Sequence, residues 1–150
     1  MKLHIETPMS IEIIRFTFND TTFVNKAFEI RRVVFVIEQD CPPELEYENE
    51  EICKHYLAYF DGIPVATARF RITENGVKLE RFAVLKEYRR KGIALALVNR
   101  LLDDVKPFGK TIYLHAQLDA MPLYAKAGFK PTGPQFEEAG IQHFKMVFNP

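Results

Sequence analysis

A basic turn, Arg89-Arg90-Lys91-Gly92, joins a strand-like run of residues directly to an amphipathic helix. A glycine in such a turn lets the backbone approach a ligand closely, and the free N–H groups at a helix start lie at the positive end of the helix dipole. The junction therefore predicts an anion site that would suit a pyrophosphate. A solvated helix start is the commoner explanation for a basic turn taken alone.

Strands and helices alternate along the chain around this turn. Strands are predicted where β-branched and aromatic residues lie between turn signals, at residues 11–17, 55–60, 65–72, 77–84, 111–116 and 141–148. Helices are predicted where apolar residues recur every three or four positions, at about 21–38, 93–105 and 120–127. The basic turn thus connects the fourth strand to the second helix.

The first helix carries an apolar face at helical spacing. Its members are Phe23, Ala27, Ile30, Val34 and Ile37. The run RVVFVI at residues 32–37 would suit a strand equally well by propensity, and only the longer period favours a helix.

An acidic stretch follows the break at Pro42-Pro43. Residues 40–51 contain six acidic side chains and no basic one. The stretch is either a solvated loop or a local negative charge that attracts a cationic amine.

Length and composition favour one globular domain over residues 1–150. Twenty basic and twenty acidic residues balance, so no overall field attracts nucleic acid or a membrane surface. The N-terminus lacks the apolar stretch of a signal peptide, and a cytoplasmic location is expected. Cys41 and Cys53 are expected to be thiols there, and a disulfide between them is the alternative. Cys53 and His55 are too few for a zinc site, so no metal is expected.

The residues around the basic turn resemble the acetyl-CoA-binding motif of the GNAT superfamily. The run LERFAV (79–84) is followed by Arg89-x-x-Gly92-x-Ala94 and a leucine-rich helix. Further on, Ala116-Gln117 and a helix bearing Tyr124 resemble the second motif of the family. The helix end FVIEQ (35–39) and the tail GIQHFKM (140–146) are similar to the ElaA- and YjcF-like branch.

The resemblance implies the GNAT fold. This is an α/β (α+β) domain with a single mixed, mostly antiparallel, twisted sheet of six to seven strands flanked by about four helices. The fourth and fifth strands part in it, so that the pantetheine arm of the cofactor lies between them. The residues implied to hold the cofactor are Phe82, Ala83, Val84, Arg89, Arg90, Lys91, Gly92, Ile93, Ala94 and Gln117. Gln117 would replace an asparagine that many members carry.

The resemblance also implies residues for the chemistry. Tyr124 would donate a proton to the departing CoA sulfur, since a phenol with an ordinary pKa of about 10 can do so. Glu80, on the motif strand, is the best-placed carboxylate to deprotonate the amine, directly or through water. A solvent-facing Glu80 paired with Arg81 or Lys78 is the alternative.

Two further residues are implied near the acceptor. Glu38 closes the first helix where substrates enter in this family, although a carboxylate at a helix end is also ordinary surface. His143 is a substrate-site candidate through the branch tail, on the strand face opposite Phe144, and a satisfied or exposed histidine is its alternative. His115 is titratable near neutral pH but has no spacing argument.

The function implied is transfer of an acetyl group from acetyl-CoA, as co-substrate, to a primary amine of a small molecule or peptide through a ternary complex. The alternative is a regulatory or interaction module of the same fold, which binds acyl-CoA but catalyses transfer only weakly. A nucleic-acid patch at Lys86 to Lys91 is a third, weaker interpretation, because such a patch would shift the net charge. For the oligomeric state, a homodimer is one assembly that the sequence allows.

Overall fold

All strands of the computed structural model lie in one seven-stranded sheet of order β1-β2-β3-β4-β5-β7-β6. The structure describes residues 10–149, except for the side chains of residues 44 and 45. The strands are β1 (Ile11–Thr17), β2 (Lys54–Phe60), β3 (Ile63–Thr73), β4 (Gly76–Val84), β5 (Ile112–Gln117), β6 (Phe129–Glu138) and β7 (Ile141–Phe148). Neighbouring strands are antiparallel except β4 and β5. The predicted mixed, mostly antiparallel sheet is confirmed. The prediction about an N-terminal leader falls on residues outside the described ones.

Helices cover both faces of the sheet. They are α1 (Thr21–Arg31), continued by a π-helix (Arg32–Glu38), α2 (Pro43–Glu46), α3 (Ile93–Val105) and α4 (Met121–Lys126). Residues 32–37 are therefore helical, as their longer apolar period predicted. Within residues 10–149, no helix is long and apolar enough to cross a bilayer.

The apolar helix faces fill two cores. One face of α3 is buried against the sheet through Ile93, Leu97, Val98, Leu101, Leu102 and Val105. Burying a side chain of this size contributes about 1.5–3 kcal/mol each. On the other face of the sheet, Val24, Ala27 and Ile30 of α1 pack with Leu57 and Ala83. The two cores hold β4 between α1 and α3.

The π-helix changes which residues of the first helix are buried. Val34 is 3% exposed, whereas Ile37 is 57% exposed and leaves the face predicted for it. Hydrogen bonds from i to i+5 widen the turn, so the apolar period of the preceding helix is lost. The prediction for Ile37 is wrong for this reason. At the end of this helix Gln39 contacts Gln117 at the end of β5, whereas Glu38 contacts Arg89 of the basic turn.

Strand β6 was not predicted from the sequence. Its residues, KPTGPQFEE after Phe129, include two prolines and a glycine and lie mostly exposed. The strand pairs only with β7, at the edge of the sheet, where a proline has no ladder bond to lose. Proline and glycine concealed the strand because they are normally signals of loops.

The parallel pairing of β4 with β5 begins at a glycine. Val77 N–H donates to the carbonyl of Thr111 at 2.8 Å. Gly76 has a φ of 133°, and a Cβ there would overlap the carbonyl oxygen of Thr111. The backbone of β4 can therefore approach the start of β5 only because position 76 lacks a side chain.

We expect Gly76→Ala to lower the free energy of unfolding by about 2–4 kcal/mol, because it adds a backbone clash to a strained φ. Gly62→Ala is the matched control, since Gly62 has a φ of 82° and a Cβ at that position would meet nothing within 4 Å. It should cost only about 1 kcal/mol. Urea unfolding measures both variants. Equal losses would contradict the role of the close approach.

Candidate active site

Strands β4 and β5 separate after three paired residues. Val77, Lys78 and Leu79 pair with Ile112, Tyr113 and Leu114, and the ladder stops there although both strands continue. Beyond Leu79 a gap opens inside the sheet, and its edges carry backbone groups that no neighbouring strand uses. The predicted parting of the fourth and fifth strands is present.

A β-bulge in β4 turns the strand at the point of separation. Glu80 pairs with Arg69 and Ala83 with Thr67, so two residues, Arg81 and Phe82, lie opposite Ala68. Arg81 has a φ of 58°, a left-handed conformation that is uncommon outside glycine. A bulge bends its strand and changes which face the following side chains occupy. Phe82 therefore packs on the α3 side of the sheet, as Leu79 does.

The backbone of Val84 points into the gap. Leu85 N–H donates to Val65 of β3 at 2.9 Å, and successive residues of a strand point their amides to opposite sides. The carbonyl of Val84 accepts from Arg89 Nε at 3.0 Å, which is not a contact with β3. Ala83, directly before Val84, pairs with Thr67, so its amide faces β3. The gap thus presents Val84 as a donor to a bound chain.

The N-terminus of α3 lies at the same cleft and has no side-chain cap. Gly92 occupies the N-cap position with a φ of 80°, and Arg90 also has a positive φ of 63°. The first helical bond is Ala96 N–H to Gly92 O, at 3.1 Å. The N–H groups of the first turn before it have no partner within the helix. Residues 90–94 therefore form a backbone donor site at the positive end of a helix of 13 residues.

Arg89 does not extend freely from the turn. Its Nη2 contacts both carboxylate oxygens of Glu38 at 2.9 Å, and its Nε holds the carbonyl of Val84. The structure thus brings together a predicted cofactor residue and a predicted substrate residue. The contact ties the end of the π-helix to the basic turn.

Gln117 makes a second bridge from the same helix end. Its Nε2 donates to Gln39 Oε1 at 3.0 Å, and Gln39 donates back at 3.4 Å. The amide at the end of β5 is therefore paired across the cleft in the structure. Two residues on, Asp119 does not cap α4, because the N-cap is Ala120 and no side-chain bond caps this helix.

Tyr124 lies in α4 with its ring in the core and in the wall of the cleft. The side chain is 6% exposed and meets Phe82 edge to face, with ring centroids 5.6 Å apart. Burial raises the pKa of the phenol, so it keeps its proton throughout the neutral range. The side chain lines the same cleft as Val84 and Gly92.

Glu80 is buried and surrounded by cations. Its Oε1 accepts from Arg69 Nε at 3.1 Å and from Arg71 Nε at 2.8 Å, and Lys78 Nζ lies 3.4 Å from Oε2. Burial alone would raise the pKa of this carboxyl, but the charges of Arg69, Lys78 and Arg71 outweigh it and lower the pKa. The solvent-facing alternative is wrong, although the predicted pair with Lys78 is present. A carboxylate stabilised in this way is a weak base.

The charges around Glu80 continue into a buried network that sequence reasoning missed. Glu50 accepts from Arg31 Nη1 at 2.8 Å and from Arg69, while Glu46 accepts from Arg31 Nε at 2.7 Å. Glu46 and Glu50 belong to the acidic stretch that was expected as solvated loop or as a local attraction for amines. Their charges are instead neutralised inside the fold. The signal available was the position of two arginines, Arg31 directly after Ile30 of the predicted apolar face and Arg69 between Ala68 and Phe70 of a predicted strand.

The two remaining candidates lie on β5 and β7. His143 is 6% exposed and pairs in register with Gln117, and His115 lies two residues earlier on β5. Both line the cleft, which has a volume of about 870 Å³ and runs from residues 89–94 to the β6–β7 turn. This volume lies within the usual range of ligand sites.

Metal ligands are not grouped within residues 10–149, where no set of three or more His, Cys, Asp or Glu could hold an ion. Cys41 and Cys53 are both buried thiols. Burial raises the pKa of Cys53 to about 12, so that thiol is not reactive at neutral pH.

Known proteins share this sequence pattern over most of the chain. Residues 31–149 match the family model described as an acetyltransferase (GNAT) domain. A Bacillus subtilis protein named as a candidate acetyltransferase is 40% identical over 129 residues, which are 83% of this chain and 88% of that protein. YjcF of the same bacterium, an uncharacterised N-acetyltransferase, is 35% identical over 124 residues, covering 81% and 89%.

Solved structures share the fold. ElaA of Escherichia coli superposes with a TM-score of 0.78 at 24% identity, over 92% of this chain and 99% of that one. An aminoglycoside 6′-N-acetyltransferase solved with coenzyme A superposes with a TM-score of 0.72 at 18% identity, over 93% and 98%. The resemblance inferred from the motifs is confirmed along the sheet and both motif regions.

We expect Glu80→Gln to lower the free energy of unfolding by about 3 kcal/mol, because it leaves buried arginines without their carboxylate. Glu48→Gln is the control, since the Glu48 side chain is 57% exposed and lies 3.4 Å from Arg81. It should cost less than about 1 kcal/mol. Chemical denaturation of both variants measures the difference, and similar small losses would show that the network does not depend on Glu80.

Proposed function

Since the chain belongs to the GNAT acetyltransferase family, we propose that it transfers an acetyl group from acetyl-CoA to a primary amine by direct attack within a ternary complex. The observation that carries this proposal is the gap between β4 and β5 beside the uncapped N-terminus of α3. A chain with a phosphate end and an amide-rich arm fits such a cleft, because the helix start and the free edge of β4 both line it. A primary amine of a small molecule or peptide would reach the gap from the β6–β7 side.

The basic turn would hold the pyrophosphate. The helix start at Arg90, Gly92, Ile93 and Ala94 lines the cleft, and the exposed side chains of Arg90 and Lys91 would add charge-assisted contacts. Arg89 would join them where it releases Glu38. The pantetheine arm would then lie along β4, where the amides of Phe82 and Val84 donate to it and to the thioester carbonyl, with Gln117 on the opposite side. Donors aimed at that oxygen stabilise the negative charge that develops during attack.

Tyr124 would supply the proton that the sulfur needs. Its phenol remains protonated, and its ring is fixed between Phe82 and Phe129. A fixed donor close to the leaving group contributes typically about 10² to 10⁴ in rate. Such a tyrosine also favours an enzyme over an acyl-CoA-binding module, which has no use for a proton donor beside the thioester. The assignment of Glu80 as proton acceptor stays a prediction, with the weak basicity described above against it.

We expect Gly92→Asp to weaken acetyl-CoA binding by about 100-fold or more, because a carboxylate would stand where a phosphate binds. A Cβ at Gly92 meets nothing within 4 Å, so the cost of the substitution to the fold is the strain of a side chain at a φ of 80°. Gly133→Asp on β6 is the matched control, with a φ of 76° and equally open space. Calorimetric titration with acetyl-CoA measures both. Undiminished affinity of the Gly92 variant would exclude the pyrophosphate assignment, and a wild-type protein that does not bind acetyl-CoA would exclude the proposed function.

We expect Tyr124→Phe to lower the acetyl-transfer rate by about 100-fold while the affinity for acetyl-CoA stays nearly unchanged. Tyr113→Phe is the control, because the Tyr113 hydroxyl bonds to Thr73 at 2.6 Å and does not line the cleft. Release of the CoA thiol in the presence of a primary amine measures the rate. A Tyr124 variant as fast as the Tyr113 variant would remove the phenol from the mechanism.

A further inference from the structure

The β6–β7 hairpin carries a group of polar side chains next to the end of β5. Its two-residue turn, Ala139-Gly140, has positive φ at both positions, 51° and 79°, as tight hairpin turns require. The register sets Phe136 opposite His143, and His143 in turn opposite Gln117 of β5. The hairpin therefore delivers its side chains to the cleft wall facing β4.

Glu138 lies between two histidines in this group. His115 Nδ1 is 3.4 Å from Oε1, and His143 Nε2 is 3.8 Å from Oε2. The second separation is longer than a hydrogen bond. The contact with His115 lowers the pKa of Glu138 to about 2, helped by the charge of Lys78 and by those of His115 and His143 when they are protonated, and opposed by burial. Glu138 is thus a carboxylate at every physiological pH, and its side chain is 46% exposed.

The tautomer of His143 follows from its other nitrogen. Nδ1 lies 2.7 Å from the carbonyl oxygen of Ile141. A carbonyl can only accept, so Nδ1 carries the proton, and in the neutral ring Nε2 has the lone pair. This lone pair is turned toward the Glu138 carboxylate. Two acceptors facing each other across 3.8 Å form a place for a donor with several hydrogens.

Phe136 fixes both imidazole rings. It stacks on His143 with centroids 5.7 Å apart and meets His115 edge to face at 5.0 Å. His143 also lies within its own strand and is almost fully buried, so the orientation of its ring and of Nε2 is fixed. A ring locked in this way does not need to reorganise when a ligand arrives.

We propose that Glu138 and His143 receive the acceptor amine as an ammonium ion, with Glu138 binding the cation and His143 Nε2 accepting its proton. The proposal rests on the proposed function. It identifies the substrate that accepts the acetyl group as a cationic primary amine, and it assigns the removal of the amine proton to His143 instead of Glu80. The position agrees with the donor side, because His143 neighbours Gln117 and lines the same cleft as Tyr124. The ammonium would donate to both acceptors at once.

The protons balance through this pair and Tyr124. The ammonium passes one proton to Nε2 of His143, and the freed nitrogen lone pair forms the bond to the thioester carbon. The carbon–sulfur bond breaks, and the sulfur takes the phenolic proton of Tyr124. The nitrogen loses its second proton as the amide forms, and this proton restores the phenol. His143 finally releases its proton to solvent, so one proton is produced per amide.

Glu80 is less suited to this step. Its carboxylate already accepts from Arg69 and Arg71, with Lys78 beside it, and its pKa is lowered by them despite its burial. In its neutral form, His143 has an Nε2 lone pair that lies 3.8 Å from the exposed Glu138 carboxylate and accepts from no other residue of the group. Imidazole is also the side chain whose ordinary pKa is closest to neutrality.

Ethylamine and methoxyamine test the proposal as a pair. They are nearly isosteric, but ethylamine is an ammonium ion at neutral pH and methoxyamine is neutral. Nitrogen-15 NMR of the imidazoles in the full chain should show the Nδ1–H form of His143. Added ethylammonium should shift Nε2 of His143, whereas methoxyamine should shift it little. In Glu138→Gln the apparent affinity for ethylammonium should fall about tenfold. The adjacent Glu137→Gln, which removes an exposed charge from the same strand, should keep the wild-type value.

Transfer rates give the second readout. With acetyl-CoA saturating, His143→Gln should slow acetylation of ethylamine by about 100-fold or more and that of methoxyamine less than about threefold, because only the first needs a base. The affinity for acetyl-CoA should not change. A conservative His143→Gln chain that loses both rates equally would show a structural role only. If Glu80→Gln lost the ethylamine rate selectively and His143→Gln kept it, deprotonation of the ammonium would be assigned to Glu80.

The two proposals fail separately. Absence of acetyl-CoA binding would remove the proposed function, but the NMR titration would still report the ammonium site. Normal acetyl-CoA binding with no effect of ethylammonium on His143, or with an equal effect in Glu138→Gln, would overturn the ammonium site and leave the acetyl-CoA cleft in place.

Discussion

The structure depends on the short parallel pairing between β4 and β5. Three residues of each strand are bonded, and the bulge at Arg81 then turns β4 away. In an ordinary sheet the backbone N–H and C=O groups on these edges would be hydrogen-bonded to the neighbouring strand, and no extended ligand could enter between the strands. Here the separation leaves backbone donors at Val84 facing a cleft. Recognition by the main chain requires no particular side chain, so many sequences can retain it.

The bulge needs support because a left-handed arginine is uncommon in a strand. Arg81 Nε donates to the carbonyl of Glu46 at 3.2 Å, and Glu46 is in turn held by Arg31 of α1. The network that joins them takes charges from α1, α2, β3 and β4. Buried ion pairs of this kind seldom add net stability relative to apolar side chains, but they accept few alternative geometries. The acidic stretch thus positions the strand that forms one wall of the cleft.

The sequence predicted those parts of the site that lie close together along the chain. The turn at residues 89–94 and Tyr124 belong to continuous motifs, and strand and helix patterns identified every element of the sheet except β6. Features that depend on contacts between residues far apart in the sequence could not be predicted from it. Glu46 and Glu50 resemble loop residues until Arg31 and Arg69 are brought to them. Likewise, nothing local distinguishes Glu138 from its neighbour Glu137, because the turn and the facing strand decide which of them meets His115 and His143.

The ion pair between Arg89 and Glu38 couples the basic turn energetically to the end of the π-helix. An anion that engages Arg89 must compete with Glu38, which then regains an unpaired negative charge at the end of the π-helix. A cation near Glu38 likewise loosens Arg89. By thermodynamic reciprocity, each ligand then raises the affinity for the other by the same factor. An anion at the basic turn and a cation beside Glu38 would therefore bind with positive cooperativity, through a rearrangement of these two side chains alone.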